Sequence, residues 1–158
     1  MKKLVLIRHA RAEKDTGGKD FDRPLKYTGI QDAAFMADKL KETGLIPEII
    51  ISSPALRTKT TAEIFTDNLA LPPARFNKVI YEASQKTLLQ VINQLPNEHD
   101  AIGLVGHNPG INMILYYLTG EIREVHTSTV AVIVFDTDDW ASVSGGLGKL
   151  TYYSSPKD

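Results

Sequence analysis

The chain contains no cysteine. Disulfides, thiolate metal sites and cysteine nucleophiles are therefore excluded, and the absence suits a reducing cytoplasm. Long apolar runs are also missing. Met1-Lys2-Lys3 makes a positive start, but Leu4-Val5-Leu6-Ile7 ends at Arg8. A signal peptide needs about 7–15 apolar residues before a small-residue cleavage site, and a membrane span needs about 18 or more. The expectation is a soluble, cytoplasmic protein with no membrane partner. Neither sign of charge is in excess: 18 Lys and Arg face 19 Asp and Glu, for a net charge of −1. No global basic field exists to attract nucleic acid, although a local basic pocket stays open. Several signatures are absent too. No Rossmann glycine fingerprint follows the first apolar run, and no Gly-x-Ser-x-Gly elbow occurs. Gly145-Gly146-Leu147-Gly148-Lys149-Leu150 lacks the first glycine and the final Ser or Thr of a phosphate-binding loop. It reads as a hairpin turn.

What is present is an ordinary globular balance, 42% hydrophobic and 23% charged over 158 residues. That fits one domain over residues 1–158, long enough to bury about two thirds of its unfolded surface. Four apolar runs lack polar alternation, as strands covered on both faces do: Leu4–Ile7, Ile49–Ile51, Ala101–Val105 and Val130–Phe135. Phe76–Tyr81 and Lys149–Ser154 read as shorter, more exposed strands.

Helical patterns lie between these runs. Ile30, Ala33, Ala34, Ala37 and Leu40 have helical spacing, with Thr28 and Gln31 as a capping box and Gly44 as a stop. A second helix is expected from Ser53-Pro54 to about Leu69. A third carries Leu88, Leu89, Ile92 and Leu95 between Ser84 and Pro96. A fourth runs from Asn108-Pro109 to near Gly120. Alternating strands and helices predict a three-layer α/β/α sandwich with a mostly parallel central sheet. The tail from Val130 to Ser154 has two strands and no clear helix between them, so it predicts an antiparallel edge. Trp140 reads as core packing.

In open α/β sheets the ligand sits beyond the carboxyl ends of the strands. Arg8-His9 follows the first apolar run, and Ser52-Ser53-Pro54 with Arg57 follows the second. Gly106-His107-Asn108 follows the third, and Glu82 follows the weaker run ending at Tyr81. Two arginines, two histidines and a carboxylate thus meet at one sheet edge. Arginine offers paired donors that fit phosphate oxygens, and helix amino ends favour anions. A cation in the first turn of a helix, as Arg57 is, is electrostatically mismatched and hints at a bound anion. A histidine beside Arg8 is biased towards its neutral form, and neutral imidazole can attack phosphorus. The set points to phosphoryl transfer.

Leu6-Ile7-Arg8-His9-Ala10 resembles the Arg-His-Gly signature of the histidine phosphatase, or phosphoglycerate mutase-like, superfamily. Ser52-Ser53-Pro54-Ala55-Leu56-Arg57-Thr58 resembles its second motif, and Val105-Gly106-His107-Asn108 its third. Asp22-Arg23-Pro24-Leu25, with Gly29 soon after, is similar to an element of the SixA-like phosphohistidine phosphatases. The resemblance covers nearly the whole chain. It implies that His9 is the nucleophile and that Arg8, Arg57 and His107 hold the phosphoryl group, with Asn108 as a further substrate contact. It implies no metal and no cofactor, and no metal-ligand spacing appears. Ala10 stands where the signature has glycine; it is small enough for close backbone approach.

The general acid in larger relatives is a carboxylic acid, and Glu82 lies where one is expected, with Asp22 as a second candidate. Imidazole leaves phosphorus more readily than an alkoxide, so the acid bears on the substrate. The favoured substrate is phosphohistidine on a protein. The alternatives are small phosphate monoesters, or a non-catalytic module that binds phosphate or a phosphoprotein. The polar loop from Glu13 to Lys26 is the one obvious movable cover.

Overall fold

The computed structural model describes residues 1–14 and 16–156. Among the described residues six strands form one sheet: β1 (Lys2–Arg8), β2 (Ile49–Ser52), β3 (Arg75–Phe76), β4 (Ala101–Gly106), β5 (Val130–Phe135) and β6 (Gly148–Ser154). Their order is β3-β2-β4-β1-β5-β6. The first four are parallel to one another. β5 runs antiparallel to β1, and β6 antiparallel to β5. The expected mostly parallel sheet with an antiparallel C-terminal edge is what forms.

Both faces of the sheet are covered, because successive side chains of a strand point opposite ways. Leu4 and Leu6 enter one core with Ile92, Ile114 and Leu118. Val5 and Ile7 enter the other with Met36, Leu40 and Phe65. The helices supplying these residues are α1 (Tyr27–Thr43) and α2 (Leu56–Asn68) on one face, and α3 (Gln85–Asn93) and α4 (Gly110–Thr119) on the other. Trp140 is fully buried, its indole N–H donating to the His99 carbonyl at 2.9 Å. Among the described residues no helix is long and apolar enough to cross a membrane.

Several boundaries differ from the sequence reading, each for a local reason. Phe76–Tyr81 is not one strand. Pairing with β2 stops at Phe76, because the Asn77 side chain accepts from the Val79 N–H and starts a 3-10 turn over Lys78–Ile80. Thr28 and Gln31 form no capping box. α1 starts at Tyr27 on Lys26, which has no side-chain cap, and the Lys26 N–H donates to the Arg11 carbonyl at 2.9 Å. The helix start is thus fixed by the chain leaving β1. α2 begins at Leu56 rather than Ser53, and α4 at Gly110 rather than Asn108. Asn108 still serves the helix, its Oδ1 accepting from the Asn112 N–H. Ser84 caps α3 as expected, accepting from the Thr87 N–H. α1 and α4 end on Gly44 and Gly120, both in the left-handed region.

Gly29 lies where α1 passes the chain beyond β1. A Cβ there would overlap the Arg11 carbonyl and sit 2.9 Å from the Arg11 nitrogen. Gly29→Ala gains about 1 kcal/mol of helix propensity, but backbone cannot move aside as a flexible side chain can. Overpacking costs of about 1–3 kcal/mol or more prevail. Gly29→Ala is expected to lower Tm by about 3–10 °C in a thermal melt; an unchanged or raised Tm refutes the close approach.

Candidate active site

The carboxyl ends of β1, β2 and β4 are level. Arg8 pairs with Gly106, and Ser52 with Val105. Beyond the ladder, His9 N–H donates to the Gly106 carbonyl and Ser53 N–H to the Val105 carbonyl, both at 3.1 Å. This register places Arg8, His9 and His107 side by side, and α2 brings Arg57 across. All four line one cavity of about 830 Å³ together with Asn108. The spatial convergence expected from sequence is therefore present for these five residues.

His9 is 8% exposed. Its Nδ1 lies 2.7 Å from the Ala10 carbonyl oxygen. A carbonyl only accepts, so Nδ1 carries the hydrogen and Nε2 keeps the lone pair. The Ala10 N–H in turn donates to Thr61 Oγ1 at 3.0 Å, which ties this turn to α2. Burial lowers the His9 pKa to about 4, with the charges of Arg57, Arg8 and Arg23 acting in the same direction. The expected neutral imidazole is present, but desolvation outweighs the arginines as its cause. His107 is lowered to about 3, again by burial first and then Arg57. Its Nε2 is 2.8 Å from Ser53 Oγ, and its ring lies 5.4 Å from that of His9.

The two arginines are held by their outer nitrogens. Arg8 Nη1 donates to the Val125 carbonyl at 2.9 Å. Arg57 Nη1 donates to the Asp20 carbonyl at 2.8 Å and Nη2 to the Asp20 carboxylate at 3.0 Å. The anion that the placement of Arg57 called for is thus supplied partly from within the chain. Three further nitrogens are buried with no hydrogen-bond partner: Arg8 Nε, Arg57 Nε and His107 Nδ1. Buried polar atoms of this kind are costly unless matched, and all three belong to cavity-lining residues. Asn108 is more committed to the fold, its Nδ2 donating to the Val125 carbonyl at 3.0 Å.

Glu82 is not brought to the cavity. It is exposed, has a backbone φ of 54°, and is absent from the lining, as is Asp22. The 3-10 turn before it replaces the expected strand, and Tyr81 lies against the site instead, its ring 5.4 Å from that of His107. The carboxylate at the cavity is Asp20, which the sequence reading missed. One signal was available: Asp20 stands three residues before Arg23 and pairs with it at 2.9 Å. Of the Glu13–Lys26 loop, Asp15 lies outside the described residues; Lys14, Thr16, Gly18, Asp20, Arg23 and Lys26 line the cavity, and a bridge between Ala12 and Leu25 pinches the base. Among the described residues no group of three or more His, Asp or Glu could hold a metal ion.

The family description histidine phosphatase superfamily (branch 1) matches residues 4–84, which include Arg8, His9 and Arg57. The chain belongs to this superfamily. Within it, SixA-like proteins share the whole fold. The crystal structure of SixA from Agrobacterium tumefaciens is 26% identical, covers 98% of both chains and has a TM-score of 0.84. The protein histidine phosphatase SixA complexed with tungstate is also 26% identical, with a TM-score of 0.85 over 98% of this chain and 97% of that one. An uncharacterized protein of Picosynechococcus is 32% identical over 111 residues, covering 68% of this chain and 67% of its own length. The chain is a SixA-like member of the histidine phosphatases.

The lowered histidine pKa values have a testable sign. Both imidazoles are neutral in the folded protein between about pH 4 and their unfolded value near 6.5. In that window the unfolded chain binds more protons, so stability present above pH 6.5 is lost as pH falls towards 4. Thermal melts at stepped pH should show Tm falling through this range, and the His9 ring should titrate near pH 4 by NMR. A His9 titration near 6.5 contradicts the burial argument.

Proposed function

We propose that the protein is a metal-independent phosphatase acting through a phosphohistidine on His9, with phosphohistidine on a protein as substrate. Phosphoryl oxygens take the free N–H groups of Arg8, Arg57 and, when Ser53 donates its hydroxyl proton to Nε2, His107 Nδ1. His9 Nε2 attacks phosphorus. The new P–N bond forms as the substrate's P–N bond breaks, and its electron pair goes to the departing imidazole. That imidazole leaves neutral when its other ring nitrogen already carries a proton. Water then attacks the phosphoryl group on His9, phosphate leaves, and the Nε2 lone pair is restored. The arginines neutralise the charge carried by the transferring group throughout. We place this chemistry in the cytoplasm, with no cofactor and with a phosphorylated protein as partner.

The observation that supports this substrate is the state of Asp20. Among the described residues it is the one carboxylate lining the cavity. The Tyr81 hydroxyl, foremost, and Arg23 and Arg57 hold its pKa well below the usual carboxylate range. The Tyr81 hydroxyl is itself pushed up to about 12, chiefly by donating to Asp20. Neither group is a ready acid at neutral pH. A site without a ready acid suits a leaving group that needs little protonation, as imidazole does and an alkoxide does not. The names of the SixA structures agree with this reading, and tungstate, like phosphate, is a tetrahedral oxyanion.

The test compares a phosphohistidine protein with a panel of phosphate monoesters. The expected result is a kcat/KM at least about a hundredfold higher for the phosphohistidine protein, roughly 3 kcal/mol of transition-state preference. Equal or better turnover of an ester overturns the assignment. Glu82→Gln should leave both activities within about twofold. A large loss with esters alone would restore Glu82 as their acid.

A further inference from the structure

Asp20 joins three segments of the site. Its Oδ1 accepts from Arg23 Nε at 2.9 Å, and its Oδ2 accepts from Arg57 Nη2 at 3.0 Å and from the Tyr81 hydroxyl at 2.6 Å. Its backbone carbonyl takes Arg57 Nη1 at 2.8 Å. One residue therefore grips both outer nitrogens of Arg57 and leaves the buried Nε without a partner. Tyr81 extends the grip. Its ring meets His107 edge-on at 5.4 Å and Phe21 edge-on at 5.2 Å, and the Arg57 guanidinium carbon lies 6.0 Å from its centroid.

This arrangement is costly for binding alone. A carboxylate at a phosphate pocket repels the substrate's charge. It also removes two of the five N–H groups of Arg57 from service. Both costs make sense if placement of the guanidinium matters more than its full charge. Arginine carries considerable rotamer entropy, and a misplacement of about 1 Å at a reacting centre can cost a hundredfold in rate.

We propose that Asp20, acting with Tyr81, is a positioning residue for catalysis. It fixes the guanidinium plane of Arg57 at the cavity wall, with the N–H groups that Asp20 does not engage left for the phosphoryl group, and it holds the Phe21–Tyr81 wall against His107. The inference rests on reading the cavity as a phosphoryl-transfer site and goes beyond it by assigning the loop over Asp20–Asp22 a part in the rate. Asp20 exchanges no proton with the substrate.

The test is a split between rate and affinity. Asp20→Ala removes a negative charge and releases Arg57. Its kcat should fall about tenfold to a hundredfold, while inhibition by inorganic phosphate or tungstate stays equal or tightens. Asp20→Asn keeps an oxygen for Arg57 and should recover part of the lost kcat. Tyr81→Phe keeps the Asp20–Arg57 pair and should lose only about twofold to fivefold. In NMR, slow rotation of the Arg57 guanidinium should be seen in the wild type and lost in Asp20→Ala. An Asp20→Ala protein with wild-type kcat overturns the inference. So does one whose kcat and phosphate affinity fall together with Tm, since that is loss of structure. If the wild type turns over no phosphoryl substrate, the reading of the site fails by itself. The Arg57 signal then decides this proposal, and persistence of slow rotation in Asp20→Ala ends it.

Discussion

His9→Ala is expected to abolish turnover and the proposed acid-labile phosphoenzyme, yet to leave a folded protein that still binds phosphate. The reason lies in the division of labour at the site. The Nε2 lone pair that can attack phosphorus belongs to His9, whereas the unpartnered buried nitrogens belong to Arg8, Arg57 and His107. Loss of a nucleophile in a covalent mechanism costs about ten-thousand-fold or more in kcat. Loss of the Nδ1–Ala10 hydrogen bond costs about 1 kcal/mol of stability, partly offset because a buried imidazole no longer resists protonation at low pH. Labelling with a phosphohistidine substrate, followed by intact mass, checks the result. A mutant rate within about tenfold of wild type, or an undiminished label, removes His9 from the chemistry.

The second large effect is at Arg57. Arg57→Ala takes away a guanidinium that is 4% exposed and leaves Asp20 beside the cavity with Arg23 and Tyr81 as its side-chain partners among the described residues. Phosphate then loses an attractive charge and meets a less neutralised repulsive one. kcat/KM should fall about a hundredfold to a thousandfold, with KM rising as well as kcat falling. Arg57→Lys should recover little, because an ammonium cannot serve Asp20 and a phosphoryl oxygen at once through a planar fork. The double variant Arg57→Ala with Asp20→Ala should bind phosphate better than Arg57→Ala alone. That coupling follows if the two residues oppose each other at the pocket; strict additivity argues against it. Inhibition by inorganic phosphate measures it directly.

Much of this was legible in the chain because it depends on strong local patterns. Leu4–Ile7, Ala101–Val105 and Val130–Phe135 are apolar without alternation, and β1, β4 and β5 form there, covered on both faces. Polar residues immediately after parallel strands collect at one edge, so Arg8, His9 and His107 after β1 and β4, and Arg57 in the first turn of the helix after β2, could be placed without coordinates. The less legible parts depend on side chains reaching across the fold. Asn77 closes a 3-10 turn on its own backbone and moves Glu82 off the site while turning Tyr81 towards it. Thr28 and Gln31 have the composition of a capping box, yet the Arg11 carbonyl fixes the helix start instead. Asp20 sits in a polar loop with no periodicity, where spacing carries little information about partners 37 and 61 residues away.

The reversed direction of β5 has a consequence of its own. Because β5 runs against β1, its first residues rather than its last stand at the mouth of the site. Ser128 N–H reaches the carbonyls of both Arg8 and His9, and Thr127 lines the cavity. Val125 just upstream supplies the carbonyl that steadies Arg8 and Asn108. The stretch from Val125 to Thr129 is therefore a threshold that couples the antiparallel edge of the sheet to the cavity, whereas Ile122 lies outside the cavity lining, in a separate pocket with Met113, Tyr116 and Tyr117. Lengthening the chain beside Thr127 is therefore expected to narrow the entrance of the cavity and to favour smaller guests.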